Sequence, residues 1–80
     1  MNGWRYAHIG VEGDELRLGG IEVWQQKWRR TGEDALQLPH PQYDNQRHSF
    51  DICEIGAFDH PVRFAVSELS NGVYGFYVPG

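Results

Sequence analysis

Four side chains able to bind a metal or act as nucleophile and base, His40, His48, Cys53 and His60, stand close together in an 80-residue chain. A zinc site needs three or four such ligands converging at about 2.0–2.3 Å. None of their spacings matches an H-x₃-H or C-x₂-C ligand pair, so no metal is expected. A Cys53–His48 catalytic pair meets a geometric objection. The two are an odd number of residues apart, which on a regular strand points them to opposite faces. His60 could reach Cys53 only by folding back from a loop. Asp51, two residues away, shares the Cys53 face and would raise the thiol pKa rather than activate it. Ser49, Ser67 and Ser70 lie outside any G-x-S-x-G context, and the glycines at 10, 13, 19 and 20 form no phosphate-binding fingerprint. No cofactor is expected, and the balance is against an enzyme. A small metal-binding or enzymatic protein using His48, Cys53 and His60 ranks third among the functional readings.

Trp24-Gln25-Gln26-Lys27-Trp28-Arg29-Arg30 carries different chemistry. Aromatic rings on one strand face beside cations are what single-stranded nucleic acids use, because bases stack on rings and phosphates meet cations. Trp24, Trp28, Arg29 and Arg30 would be the contact residues. Against this stand the formal net charge of −4 and the commoner use of two such tryptophans as core. The acidic run Glu12, Asp14 and Glu15 reads as a solvated turn, with too few oxygen ligands for calcium.

The elements that must position these residues read as strands. The apolar share is 40%, with three Trp, four Tyr and four Phe spread from Trp4 to Tyr77, so a short chain can still bury a core. The length corresponds to one domain, residues 1–80. A single cysteine excludes an internal disulfide. No apolar run approaches the roughly 20 residues of a membrane span, so no membrane association and a cytoplasmic setting are expected.

Ser70-Asn71-Gly72-Val73 has the composition of a two-residue type I′ turn, whose central residues need positive φ. It joins Val62–Leu69 to Tyr74–Val78. An unbroken two-residue loop would pair Leu69 with Tyr74, Ser67 with Phe76, Val66 with Tyr77 and Ala65 with Val78. One face would then carry Val62, Phe64, Val66, Val73 and Tyr77. The other would carry Ala65, Leu69, Tyr74, Phe76 and Val78. His48–Gly56 is the preceding strand, with Ile55 opposite Val62 and Glu54 opposite Arg63, completing a three-stranded meander.

Trp4–Val11 reads as a strand, and Leu16-Arg17-Leu18 begins another. Gly19-Gly20 is then a bulge or bend within a curved strand running on through Ile21–Arg30. The rival for 21–30 is a helix, from Ile21, Trp24 and Trp28 at i, i+3 and i+7. Ala35–Leu38 is a short edge strand inside the long connection 31–47.

The expected fold is all-β, a small antiparallel sheet of five or six strands curved into a half-barrel, with α+β as the alternative. The leading functional expectation is a non-enzymatic interaction module binding a protein partner or its own copy. Its contact residues would be Leu69, Tyr74, Phe76 and Val78, on the hairpin face that so short a chain has least means to cover.

Overall fold

The structure is a computed structural model that describes residues 3–11, 17–18, 21–22, 28–40 and 46–80. It is all-β, with strands β1 (Trp4–Val11), β2 (Arg17–Leu18), β3 (Ile21–Glu22), β4 (Trp28–Arg30), β5 (Leu36–Pro39), β6 (Arg47–Gly56), β7 (Pro61–Ser70) and β8 (Val73–Pro79). The main antiparallel sheet has the order β1-β8-β7-β6-β4, with β5 also paired to β6, and it does not close into a barrel. Strands β2 and β3 form a separate two-stranded ladder.

The meander is β6–β7–β8, and its first register is the one that charge matching favours. Ile55 lies opposite Val62, Glu54 opposite Arg63 and Cys53 opposite Phe64. The hairpin turns at Asn71-Gly72, with Gly72 at φ 77°, a left-handed conformation that costs glycine little. Gly72 N–H also donates to the Glu68 carboxylate at 3.1 Å, tying the turn to its own strand.

Past the turn the pairing departs from expectation. Ser70 faces Val73, but the register then shifts between Glu68 and Ser70, leaving Leu69 as the extra residue of a β-bulge. Glu68 therefore faces Tyr74, Val66 faces Phe76 and Ala65 faces Tyr77. A slip of one residue exchanges the two faces of a strand. The physical gain is clear from what it aligns. Phe64, Val66, Phe76 and Val78 now share one face with Cys53 and Ile55, and all six are buried. On the other face Ala65 and Tyr77 pack with Phe50, joined by Trp4, Tyr6, Leu36, Leu38 and Leu69. Each fully buried Phe contributes about 1.5–3 kcal/mol of transfer free energy, so burying Phe64 and Phe76 in one layer outweighs a broken ladder bond.

The second face is covered by the sheet's own curl. Thr31 N–H donates to Ile52 O at 3.0 Å, and His40 N–H to Gln46 O at 3.4 Å. Both carbonyls belong to even-numbered residues, which along a regular strand point to one side, so β4 and β5 follow the same edge of β6. Yet the Tyr77 hydroxyl in β8 donates to the Pro39 carbonyl in β5, three strand positions away. In a flat sheet those strands would lie about 14 Å apart. The sheet must therefore roll until β5 lies against its far strands, which is the curvature expected.

Two expectations for the first half change. Arg17 pairs with Glu22 and Leu18 with Ile21 in antiparallel register, so the chain reverses between Leu18 and Ile21. That antiparallel pairing differs from one strand continuing from Leu16 into Ile21–Arg30, and the expected bulge or bend at 19–20 lies outside the described residues. The described ends of the 21–30 segment are strand, and there is no helix among the described residues. The acidic turn at 12–15 lies outside the described residues.

Gly75 is closely packed beside the second layer. A Cβ there would meet Leu69 Cδ1 at 3.0 Å and His40 Cδ2 at 3.1 Å, and the His40 ring is fully buried. Gly75→Ala is expected to cost about 1 kcal/mol, the low end of overpacking, because Leu69 can yield while His40 cannot. Phe64→Ala should cost about 3–5 kcal/mol, against a total stability of about 4–12 kcal/mol. Urea unfolding midpoints check both.

Candidate functional site

The hairpin residues expected to meet a partner do not form one surface. Phe76 is fully buried and Val78 nearly so, both in the first core layer, where Tyr74 packs partly buried beside them. Leu69 lies against the opposite layer, because it is the bulged residue. Register and burial thus divide these four side chains between two core layers. The apolar surplus on both hairpin faces is real, and the protein absorbs it internally.

Of the metal-type ligands, His40 is buried beside Tyr6. Its Nε2 lies 3.1 Å from the Tyr6 hydroxyl, and the two rings meet edge-on with centroids 4.7 Å apart. Burial, and secondarily the neighbouring Tyr77 phenol, pushes the Tyr6 pKa up to about 12. His48 is partly buried on β6, opposite Leu38. His60 is exposed on the β6–β7 turn. Cys53 is 2% exposed. Among the described residues no three His, Cys, Asp or Glu side chains gather as a metal site requires. The thiol pKa of Cys53 is raised, first by burial and then by Asp51, with Arg30 acting in the opposite direction. A thiol held protonated inside a core layer behaves as a small apolar side chain rather than a nucleophile.

The basic stretch gives the most developed geometry. Trp24 lies outside the described residues. Trp28 faces Ile55, Arg29 faces Glu54 and Arg30 faces Cys53. The Trp28 indole stacks on Phe64, with centroids 5.3 Å apart and planes at 18°. Arg29 Nε donates to Glu54 at 3.2 Å and its Nη1 to the Gly56 carbonyl at 3.4 Å. Arg30 donates to Asp51. Arg63, though opposite Glu54, bonds Glu33 at 2.9 Å, so the charges alternate across the strands rather than pairing only with their register partners. Trp28, Arg29, Arg30 and Cys53 line a partly enclosed cleft of about 170 Å³. With Asp51 and Glu54 on its arginines, the cleft is mixed in charge rather than the unopposed basic track a phosphate backbone calls for.

One residue escaped the reading of the sequence. Phe58, on the turn between β6 and β7, is 92% exposed. That turn is closed by His60 N–H donating to Ala57 O at 3.2 Å. It stands at the cleft end of β6, where Arg29 holds the Gly56 carbonyl two residues before Phe58. The available signal was an aromatic residue in a short loop, where Gly, Pro, Asn, Asp and Ser are usual.

No protein-family model matches the chain, and no curated protein or solved structure matches it either. Among the described residues no helix is long and apolar enough to cross a membrane.

The raised Tyr6 pKa has a pH consequence. In the unfolded chain the phenol ionises near pH 10, whereas in the fold it stays neutral to about pH 12. The stability that depends on the neutral phenol is complete below pH 10 and is lost as pH rises towards 12. Urea midpoints should fall across that window, and the fall should be shallower in Tyr6→Phe.

Proposed function

We propose that this protein is a non-enzymatic interaction module whose contact surface is the β6–β7 end of the sheet rather than the face of the C-terminal hairpin. One observation carries the reading. Phe58 stands 92% exposed on a turn whose backbone is itself hydrogen-bonded, while the buried aromatics nearby are packed into two layers. Lone exposed apolar residues are ordinary, so context matters. Val62, also exposed, lies in the cross-strand row Trp28–Ile55–Val62, and arginines flank Trp28. An aromatic anchor backed by aliphatic and tryptophan surface, with arginines at the rim, is the composition that dominates binding energy at protein interfaces. A reducing, cytoplasmic setting suits a chain whose one cysteine is a buried thiol.

The test is a photo-reactive phenylalanine analogue at position 58, irradiated in cells expressing the chain. The expected result is one discrete adduct, to another protein or to a second copy. Excess unlabelled chain should compete it away, and excess Phe58→Ser chain should not. Phe58→Ser should leave the unfolding free energy within about 0.5 kcal/mol of the parent, because the ring is solvated. Failure of any adduct to form, or equal competition by both chains, would reject the reading.

A further inference from the structure

We infer that Asn71-Gly72 is a self-modifying site, where the asparagine cyclises onto the backbone and opens to isoaspartate, and that the Glu68 carboxylate holds the reaction back. The site stands at the opposite end of β7 from the Phe58 turn and owes nothing to the reading above.

An asparagine followed by glycine carries both partners of this reaction. The Gly72 backbone nitrogen, once hydroxide has taken its proton, attacks Cγ of Asn71. An N–Cγ bond forms, the Cγ–Nδ2 bond breaks, and ammonia leaves with a proton from water, which restores the hydroxide. Water then opens the cyclic imide at either carbonyl. One opening gives aspartate, and the other reroutes the backbone through the side chain as isoaspartate. Glycine favours the attack because it has no Cβ to obstruct it. Asn71 is exposed, so water and hydroxide reach it.

The attacking nitrogen is the one that the fold engages. Gly72 N–H donates to the Glu68 carboxylate at 3.1 Å. That nitrogen must become an anion before it can attack. A carboxylate at bonding distance opposes this twice, because it favours the protonated N–H and its charge repels an amide anion. The hairpin adds a restraint. Ser70 pairs with Val73 across the turn and Gly72 is held at φ 77°, so the intervening peptide is not free to swing towards the side chain.

The product acts on the part of the fold that matters most. Isoaspartate lengthens the backbone of a two-residue turn by one carbon. That turn sets the Ser70–Val73 pairing that precedes the Leu69 bulge. The change therefore strikes the register that gathers Phe64, Val66, Phe76 and Val78 in one layer. Aspartate, the other product, adds a second carboxylate to a turn that already holds that of Glu68.

The experiment follows the purified full-length chain in mildly alkaline buffer, with conversion read by peptide mapping as the mass gain from amide to acid and as the isoaspartyl isomer. Asn2-Gly3, the other Asn-Gly pair, is an internal reference, since Gly3 O accepts from Gly80 N–H at the far end of β8 from the turn. Glu68→Ala should speed conversion at Asn71 about two- to fivefold, the scale of an exposed charge-assisted bond, while Asn2 keeps its rate. Glu68→Gln, which keeps an acceptor without the charge, should fall between. Base-catalysed hydrogen exchange at the Gly72 amide removes the same proton and should follow the same order. In denaturing urea the Asn71 rates of parent and variants should rise and converge. Chain carrying isoaspartate at 71, separated by chromatography, should unfold at lower urea than the parent. Glu68 is exposed, so both variants should keep the fold, and their unfolding midpoints check this. An Asn71 rate indifferent to both Glu68 variants, an equal rise at Asn2, or conversion no slower in the fold than in urea would overturn the inference.

Discussion

The one-residue bulge at Leu69 is the constraint on which the rest of this fold depends. Without it, Val66 would face Tyr77 and Phe76 would face Ser67, dividing the large apolar side chains of the hairpin between two faces. With it, Phe64, Val66, Phe76 and Val78 form a single layer over Cys53 and Ile55. The same slip sends Tyr77 to the opposite face, where its hydroxyl reaches Pro39 and its ring meets Phe50 edge-on at 5.1 Å. The core composition of the hairpin therefore follows from this misalignment of the ladder, and a second register shift, between Tyr6 and His8, lies in the β1–β8 pair. Bulges add twist as well as shift, and a rolled sheet needs both.

The curl has its own chemistry. Strand β5 is held against the far strands by polar groups inside an apolar layer, namely the Tyr77 bond to Pro39 O and the His40 contact with the Tyr6 hydroxyl. Buried polar groups are tolerated only when bonded, so this pair of contacts specifies one placement of β5 among the many that apolar packing alone would permit. Gly75 belongs to the same arrangement. The missing side chain is what lets Leu69 and His40 close over β8.

Most of the strand layout was legible in the sequence. Trp4–Val11 has the bounds read from its composition, and the short edge strand near Leu38 and the turn at Asn71-Gly72 are where local chemistry put them. The Glu54–Arg63 register was legible because opposite charges and apolar alternation agreed there. The bulge was not, for a physical reason. Both faces of the hairpin are apolar, so alternation cannot choose between two registers one residue apart, and a tight turn favours the unbulged one. Only packing against β6 decides it. For the site, the residue types were legible at Arg29, Arg30 and Trp28, but not their engagement by Glu54, Asp51 and Phe64. Phe58 was invisible because exposure is a property of the whole fold.

Why a chain with so little interior leaves a phenylalanine in water is answered by what stands behind it. Strand β6 is buried on both faces through Ile52, Cys53 and Ile55, and it carries the cleft on one flank and the Phe58 turn at its end. An exposed side chain standing on such an element loses little conformational entropy on association, because its backbone is ordered beforehand. The ion pairs of Arg29 and Arg30 serve the same end. Exposed pairs of this kind contribute only about 0–1 kcal/mol to folding, too little to explain two arginines fixed on adjacent carboxylates. Their effect is to fix two flexible side chains of β4 against β6.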